Sequence, residues 1–242
     1  MSGILYGIGV GPGDPELISL KAARVLSGVR RIFAASSPKN DYSLALRIAE
    51  AHIVPDSVIE LLPFPMTRDK AALEKAWLDN ARRVRDVLRR GEDAAFLTLG
   101  DPLIYSTFGY LARTLRELEP GAEICAIPGI TSFQAAAATT GQVLCEAGEN
   151  LLLVSGLDEQ ATAAKILAEP DNIVILKVYK NFQKLRELLQ AQGLNEKCTF
   201  VSRLGLPGET VCRELAAAPE QPPYLSMLLV NKRGQNNGRA GE

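Results

Sequence analysis

Gly100-Asp101-Pro102 follows a short apolar run, Ala95–Leu99, and leads into Leu103-Ile104-Tyr105-Ser106-Thr107. These residue types suit the holding of a small molecule. Pro102 lacks an N–H and turns Asp101 away from helical geometry, and Gly100 reaches backbone angles closed to other residues. A loop at the carboxyl end of a strand is also where open α/β sheets place their ligands. Hydrolytic chemistry is poorly served by comparison. The single histidine, His52, would have to carry any Ser-His-Asp or Cys-His arrangement. Its position late in a helical stretch reads instead as a surface or helix-end histidine. No Gly-x-Ser-x-Gly elbow is present. Cys125, Cys145, Cys198 and Cys212 lack the spacing of a zinc site, so no protein metal site is expected and the thiols fit a reducing compartment.

Two further breaks resemble the first in position. Ile4–Val10 is an apolar strand running into Gly11-Pro12-Gly13-Asp14-Pro15-Glu16, and Ile124–Ile127 is a strand running into Pro128-Gly129-Ile130-Thr131-Ser132. In the first, Asp14 is placed to cap a helix with Pro15 at its first position, continuing through Leu17, Leu20 and Leu26. A dinucleotide fingerprint fails in every register, because the third glycine would fall on Pro12, Asp14 or Glu16, and no Walker lysine follows. Several glycine-proline loops on strand ends are the layout of a protein that positions reagents and lets their own chemistry run.

The supporting elements alternate. Strands are expected at Val29–Ala35, Val58–Leu62, Leu151–Ser155, Ile173–Val178, Cys198–Val201 and Tyr224–Val230, with a short one at Arg213–Leu215. Helices are expected at Ser43–His52, Lys70–Arg90, from the Gly100 loop to about Leu118, and at Phe133–Thr139, Glu159–Leu167 and Gln183–Gln192. A domain boundary is expected at the Pro128 break, giving domains 1–127 and 128–233. The stretch 234–242 has no apolar content and is expected to be a disordered tail.

The 242 residues carry a net charge of −1 and are 47% hydrophobic, enough for a sizeable core and without the basic balance that nucleic acid or an anionic membrane would call for. No apolar run reaches spanning length and the first residues lack a basic signal-peptide region. A cytoplasmic protein is expected.

In order, Gly9-Val10-Gly11-Pro12-Gly13-Asp14-Pro15-Glu16-Leu17, Gly100-Asp101-Pro102 and Pro128-Gly129-Ile130-Thr131-Ser132 resemble the tetrapyrrole (precorrin) methylase family. The form Gly100-Asp101-Pro102-Leu103-Ile104-Tyr105-Ser106-Thr107-Phe108 is similar to the branch methylating C-20 of precorrin-2 or cobalt-factor II. Ser37-Pro38-Lys39, Pro63-Phe64-Pro65-Met66 and Arg203-Leu204-Gly205-Leu206-Pro207-Gly208-Glu209 add to the likeness. It extends over about residues 3–233.

The resemblance implies two α/β domains with mixed sheets and a cofactor cleft between them, of the class III methyltransferase kind rather than Rossmann. It implies S-adenosylmethionine as methyl donor, S-adenosylhomocysteine as product, a tetrapyrrole substrate in cobalt-bound or metal-free form, a role in cobalamin biosynthesis and a homodimer. Carried over, the cofactor-binding positions are Pro12, Gly100, Asp101, Ile104, Tyr105, Ser106, Thr131, Ser132 and Val178. At the last of these the first methylase of the cobalt-free route has methionine then glycine, where this chain has Lys177-Val178. Asp101 and Tyr105 are the catalytic candidates. Asp101 equally suits capping its own turn, and Tyr105 equally suits packing. A ring bearing many carboxylates calls for cations on strand-end loops, for which Lys39, Arg68, Lys180 and Arg203 are candidates, each with an alternative as a solvated surface charge. The remaining readings are another corrin-ring methylase or a non-catalytic tetrapyrrole or nucleotide binder.

Overall fold

The structure, a computed structural model, describes residues 2–36, 43–156, 167 and 169–232. Lys39, the helix expected over 159–167 (Leu167 apart) and the tail from 234 lie outside the described residues. The chain divides into two compact units between Thr131 and Ser132.

The first unit alternates strand and helix: β1 (Ile4–Gly9), α1 (Leu20–Leu26), β2 (Arg31–Ser36), α2 (Leu44–Ala49), β3 (Val58–Pro63), α3 (Lys70–Leu88), β4 (Ala94–Thr98), α4 (Phe108–Leu118) and β5 (Glu123–Ile127). Its sheet runs β3-β2-β4-β1-β5 and every pairing is parallel. A parallel sheet is covered on both faces, which is why its strands read as nearly unbroken apolar runs. Alternate residues serve opposite cores. Leu5, Phe33 and Phe96 pack with Val84, Leu88 and Leu111 of α3 and α4. Ile8, Ile32, Ala95 and Leu97 pack with Leu26 and Ile48 of α1 and α2. Each large buried side chain is worth about 1.5–3 kcal/mol relative to exposure.

The helix expected from Pro15 begins five residues later, at Leu20. Asp14 caps only a 3-10 turn, Pro15–Leu17, accepting the Glu16 N–H at 2.9 Å. Ser19 then caps α1 by accepting the Ala22 N–H at 3.2 Å. Two competing caps five residues apart split what the periodicity joined.

The second unit contains α5 (Ser132–Thr140), β6 (Leu151–Ser155), β7 (Asn172–Leu176), α6 (Phe182–Ala191), β8 (Cys198–Ser202), β9 (Thr210–Cys212) and β10 (Ser226–Asn231). Its order is β6-β7-β10-β8-β9, with β6 and β7 parallel and the other pairs antiparallel. The mixed sheet is therefore this one; the first is parallel throughout. Ile175, Phe200 and Leu228 pack beneath Phe182, Leu185 and Leu189 of α6, and the Phe182 and Phe200 rings are 5.5 Å apart. The short strand expected at Arg213–Leu215 is displaced to Thr210–Cys212, where it pairs with β8. Leu215 instead enters a 3-10 turn and is buried. No described helix is long and apolar enough to cross a membrane.

Candidate functional site

Strand order decides which loops meet. In the first sheet β1 lies between β4 and β5, so the loops after Gly9, Thr98 and Ile127 emerge side by side at one edge. They interlock through backbone. The Val10 N–H donates to the Thr98 carbonyl at 3.0 Å, and the Gly100 N–H donates to the Gly11 carbonyl at 2.8 Å. A Cβ on Gly129 would run into the Gly100 carbonyl oxygen and stand 2.7 Å from the Gly9 carbonyl carbon. One on Gly9 would stand 2.6 Å from the Gly129 nitrogen. These glycines are required by close approach of three backbones.

Asp101 joins two of the loops. Its Oδ1 accepts the Leu103 N–H at 2.8 Å, tightening its own turn, and its Oδ2 accepts the Gly129 N–H at 3.2 Å. Of its two expected roles, the capping one therefore has visible partners. Ser106 is similarly engaged: its Oγ accepts the Phe108 N–H at 3.1 Å and shares a 2.8 Å hydrogen bond with Thr98 Oγ1. Gly100 has φ +63°, and Tyr105, a non-glycine residue, has φ +48°. The left-handed conformation at Tyr105 costs of order 1–3 kcal/mol, strain of the kind that concentrates at functional loops. Leu103, Ile104 and Tyr105 are exposed, whereas Thr131 and Pro12 are buried. Thus Pro12, Gly100, Asp101, Ile104, Tyr105, Ser106 and Thr131 come together at one sheet edge. Arg68 is exposed on the loop after β3, the outermost strand of the same sheet.

The other expected positions belong to the second unit. Ser132 opens α5. Val178 is buried in a 3-10 turn directly after β7, with Lys180 exposed at its end. β7 and β8 both pair antiparallel with β10, so Val178, Lys180 and Arg203 share one end of the second sheet. Arg203 has φ +52° and its Nε donates to the Pro207 carbonyl at 2.7 Å, binding the guanidinium into its own loop. Lys177 is also in the left-handed region, with φ +56°. Among the described residues, the three non-glycine residues with positive φ sit on strand-end loops, a feature invisible to residue type. Among the described residues, no group of three or more His, Cys, Asp or Glu is placed to hold a metal ion.

Residues 4–219 match the family model described as Tetrapyrrole (Corrin/Porphyrin) Methylases. The chain is 34% identical to the cobalt-precorrin-2 C(20)-methyltransferase of Salmonella typhimurium over 96% of this chain and 98% of that protein. It is 37% identical to a protein of Methanocaldococcus jannaschii described as a cobalt-precorrin-2 C(20)-methyltransferase, over 94% of this chain and 96% of that one. Among solved structures, a cobalamin-synthesis-related protein of Corynebacterium diphtheriae superposes with TM-score 0.76 at 20% identity, covering 96% of this chain and 99% of that one. A uroporphyrin-III C-methyltransferase of Thermus thermophilus, solved with S-adenosylhomocysteine, gives TM-score 0.65 at 22% identity, covering 95% and 98%. The fold is the class III methyltransferase fold of these neighbours, and the chain belongs to the tetrapyrrole (corrin/porphyrin) methylase family.

Proposed function

We propose that the chain transfers a methyl group from S-adenosylmethionine to C-20 of a precorrin-2-type tetrapyrrole in cobalamin biosynthesis, acting on the cobalt-bound ring. The observation that carries this is the end-to-end identity with proteins named for that reaction, 34% over 98% of the Salmonella protein's length. The cobalt form follows the names of two of those relatives. The homodimer and the cytoplasmic setting rest on the family alone.

S-adenosylmethionine supplies an activated methyl: a carbon–carbon bond forms as the methyl–sulfur bond breaks, S-adenosylhomocysteine departs and C-20 yields a proton. Such a displacement needs alignment and exclusion of water more than acid–base assistance. The first unit's loop edge fits a ligand of this kind. Gly100 leaves open backbone there, an added Cβ meeting nothing nearer than 3.8 Å, Ile104 and Tyr105 add an exposed apolar face, and the Asp101 carboxylate contributes negative charge suited to a sulfonium. In this reading Pro12, Gly100, Ile104, Tyr105, Ser106 and Thr131 hold the donor. Asp101 acts as a positioning residue, because each of its oxygens already accepts a backbone N–H. Tyr105 remains the catalytic candidate, its half-exposed ring held out on a strained turn. Arg68, Lys180 and Arg203 are assigned to the carboxylates of the ring.

The test is incubation of the purified chain with methyl-labelled S-adenosylmethionine and either cobalt-factor II or metal-free precorrin-2. The proposal expects label in the cobalt-bound ring as a single added methyl. Label only in the metal-free ring would move the assignment to the cobalt-free route. No transfer to either, with S-adenosylhomocysteine unbound, would remove the methylase reading.

A further inference from the structure

A pair of hydroxyls joins the last residue of β4 to the loop that follows it. Thr98 Oγ1 and Ser106 Oγ stand 2.8 Å apart, and Ser106 Oγ also accepts the Phe108 N–H at 3.1 Å. Each neighbour is held in place by the first unit's core. Thr98 pairs with Gly9 in the sheet, and its carbonyl receives the Val10 N–H at 3.0 Å. The Phe108 ring is 1% exposed, stacks 6.1 Å from that of Phe96 and lies against Gly7, where an added Cβ would run into it. Gly7 thus makes room for Phe108, Phe108 opens α4, and its N–H fixes Ser106 Oγ beside the end of β4.

Hydrogen-bond accounting gives the pair a direction. A hydroxyl carries one proton and two lone pairs. Among the described residues, Thr98 Oγ1 has no hydrogen-bond partner besides Ser106, and Thr98 is 9% exposed. Were Ser106 the donor, the Thr98 proton would be left buried without an acceptor, which folded proteins avoid because the bond to water is lost and not replaced. With Thr98 as donor no proton is stranded. Ser106 Oγ then accepts from both Thr98 and Phe108, its lone pairs are filled, and its own proton is left to donate outside this network. Ser106 is only partly buried, and it lies on the loop edge between left-handed Tyr105 and the start of α4.

We infer that Thr98 is a positioning residue: its buried hydroxyl donates to Ser106 and thereby commits the Ser106 O–H to an acceptor oxygen or nitrogen of S-adenosylmethionine. The inference rests on the function proposed above and adds Thr98 to it. Hydrogen bonds in a chain polarise one another, so Thr98 strengthens the bond that Ser106 makes without itself touching the ligand.

The test is titration of S-adenosylhomocysteine, which keeps the oxygens and nitrogens of the methyl donor, into the full chain and its variants. Ser106→Ala should bind it about three- to tenfold more weakly, the scale of one net hydrogen bond. Thr98→Val keeps the β-branched shape but loses the hydroxyl, and should bind about threefold more weakly. Thr98→Ser restores the hydroxyl and should return to within about twofold of the wild type. The Thr98→Val/Ser106→Ala double variant should be no weaker than Ser106→Ala alone, since one hydroxyl acts through the other. Unchanged affinity in Ser106→Ala or in Thr98→Val, with wild-type binding intact, overturns the inference and leaves the proposed function standing. Losses that add in the double variant, or a Thr98→Ser variant as weak as Thr98→Val, do the same, because the effect would then come from packing. A wild type that does not bind S-adenosylhomocysteine overturns both.

Discussion

The Asp101 carboxylate receives the Gly129 N–H at 3.2 Å, so the loops after β4 and β5 are fastened to each other across the loop after β1. Its other oxygen holds the turn through Leu103 at 2.8 Å. One side chain thereby fixes the spacing of two loops and the shape of one.

If Asp101 positions the loops, Asp101→Ala should lower donor affinity and turnover together. Each hydrogen bond to a charged group is worth about 1.5–3 kcal/mol, so tenfold or greater losses are expected in both. Asp101→Asn should be intermediate, because an amide supplies one acceptor where two N–H groups need them. The check is S-adenosylhomocysteine titration beside initial rates. Turnover collapsing while affinity holds would instead mark Asp101 as catalytic.

Gly129→Ala tests the interlock without touching any side chain. The new methyl would meet the Gly100 carbonyl oxygen and the Gly9 backbone, and neither is free to move as a flexible side chain would. A loss of roughly 3 kcal/mol or more is expected, at the upper end for point mutations. Thermal or denaturant unfolding reads it, and Gly109→Ala, where an added Cβ meets nothing within 4 Å, is the control.

Acid stability should depend on Glu92. Hydrogen bonds from Arg31 at 2.6 Å and Arg90 at 2.7 Å hold its carboxyl below the ordinary carboxylate value. A pKa lower in the folded chain gives stabilisation that is complete above the unfolded value and lost as pH falls through the folded one. Glu92→Gln should therefore be less stable than the wild type near neutrality and converge with it in acid. Melting temperatures that run parallel across that pH range would contradict the coupling.

The thiols should separate sharply by reactivity. Cys198 is 1% exposed, its Sγ donates to the Leu194 carbonyl at 3.1 Å, and burial pushes its pKa up to about 12. Cys145 is exposed. A thiol reagent at neutral pH should label Cys145 first and leave Cys198 unmodified until the chain unfolds, as peptide mapping would reveal. Early labelling of Cys198 would mean that the second unit opens readily.

Much of the scaffold was legible because its causes are local. Apolar runs mark the strands of the parallel sheet, and Asp69 ahead of Lys70 caps α3, accepting the Ala71 N–H at 3.0 Å. The three glycine loops could be found by residue type. Their interlock could not, since the partnership of Gly9, Gly100 and Gly129 depends on β1 lying between β4 and β5. The start of α1 is not legible in the sequence, because Asp14 and Ser19 are both good caps. Lys177 and Arg203 look like ordinary surface cations in sequence; their left-handed backbones and the Arg203–Pro207 hydrogen bond are products of the folded loops.

The central claim is methyl transfer to one carbon of one ring. It is tested most directly by supplying S-adenosylmethionine labelled at its methyl with carbon-13, using cobalt-factor II as acceptor, and locating the label in the product by NMR. The account predicts one new methyl resonance, coupled to the ring at C-20. A labelled methyl at any other ring position, or none despite bound donor, would contradict it.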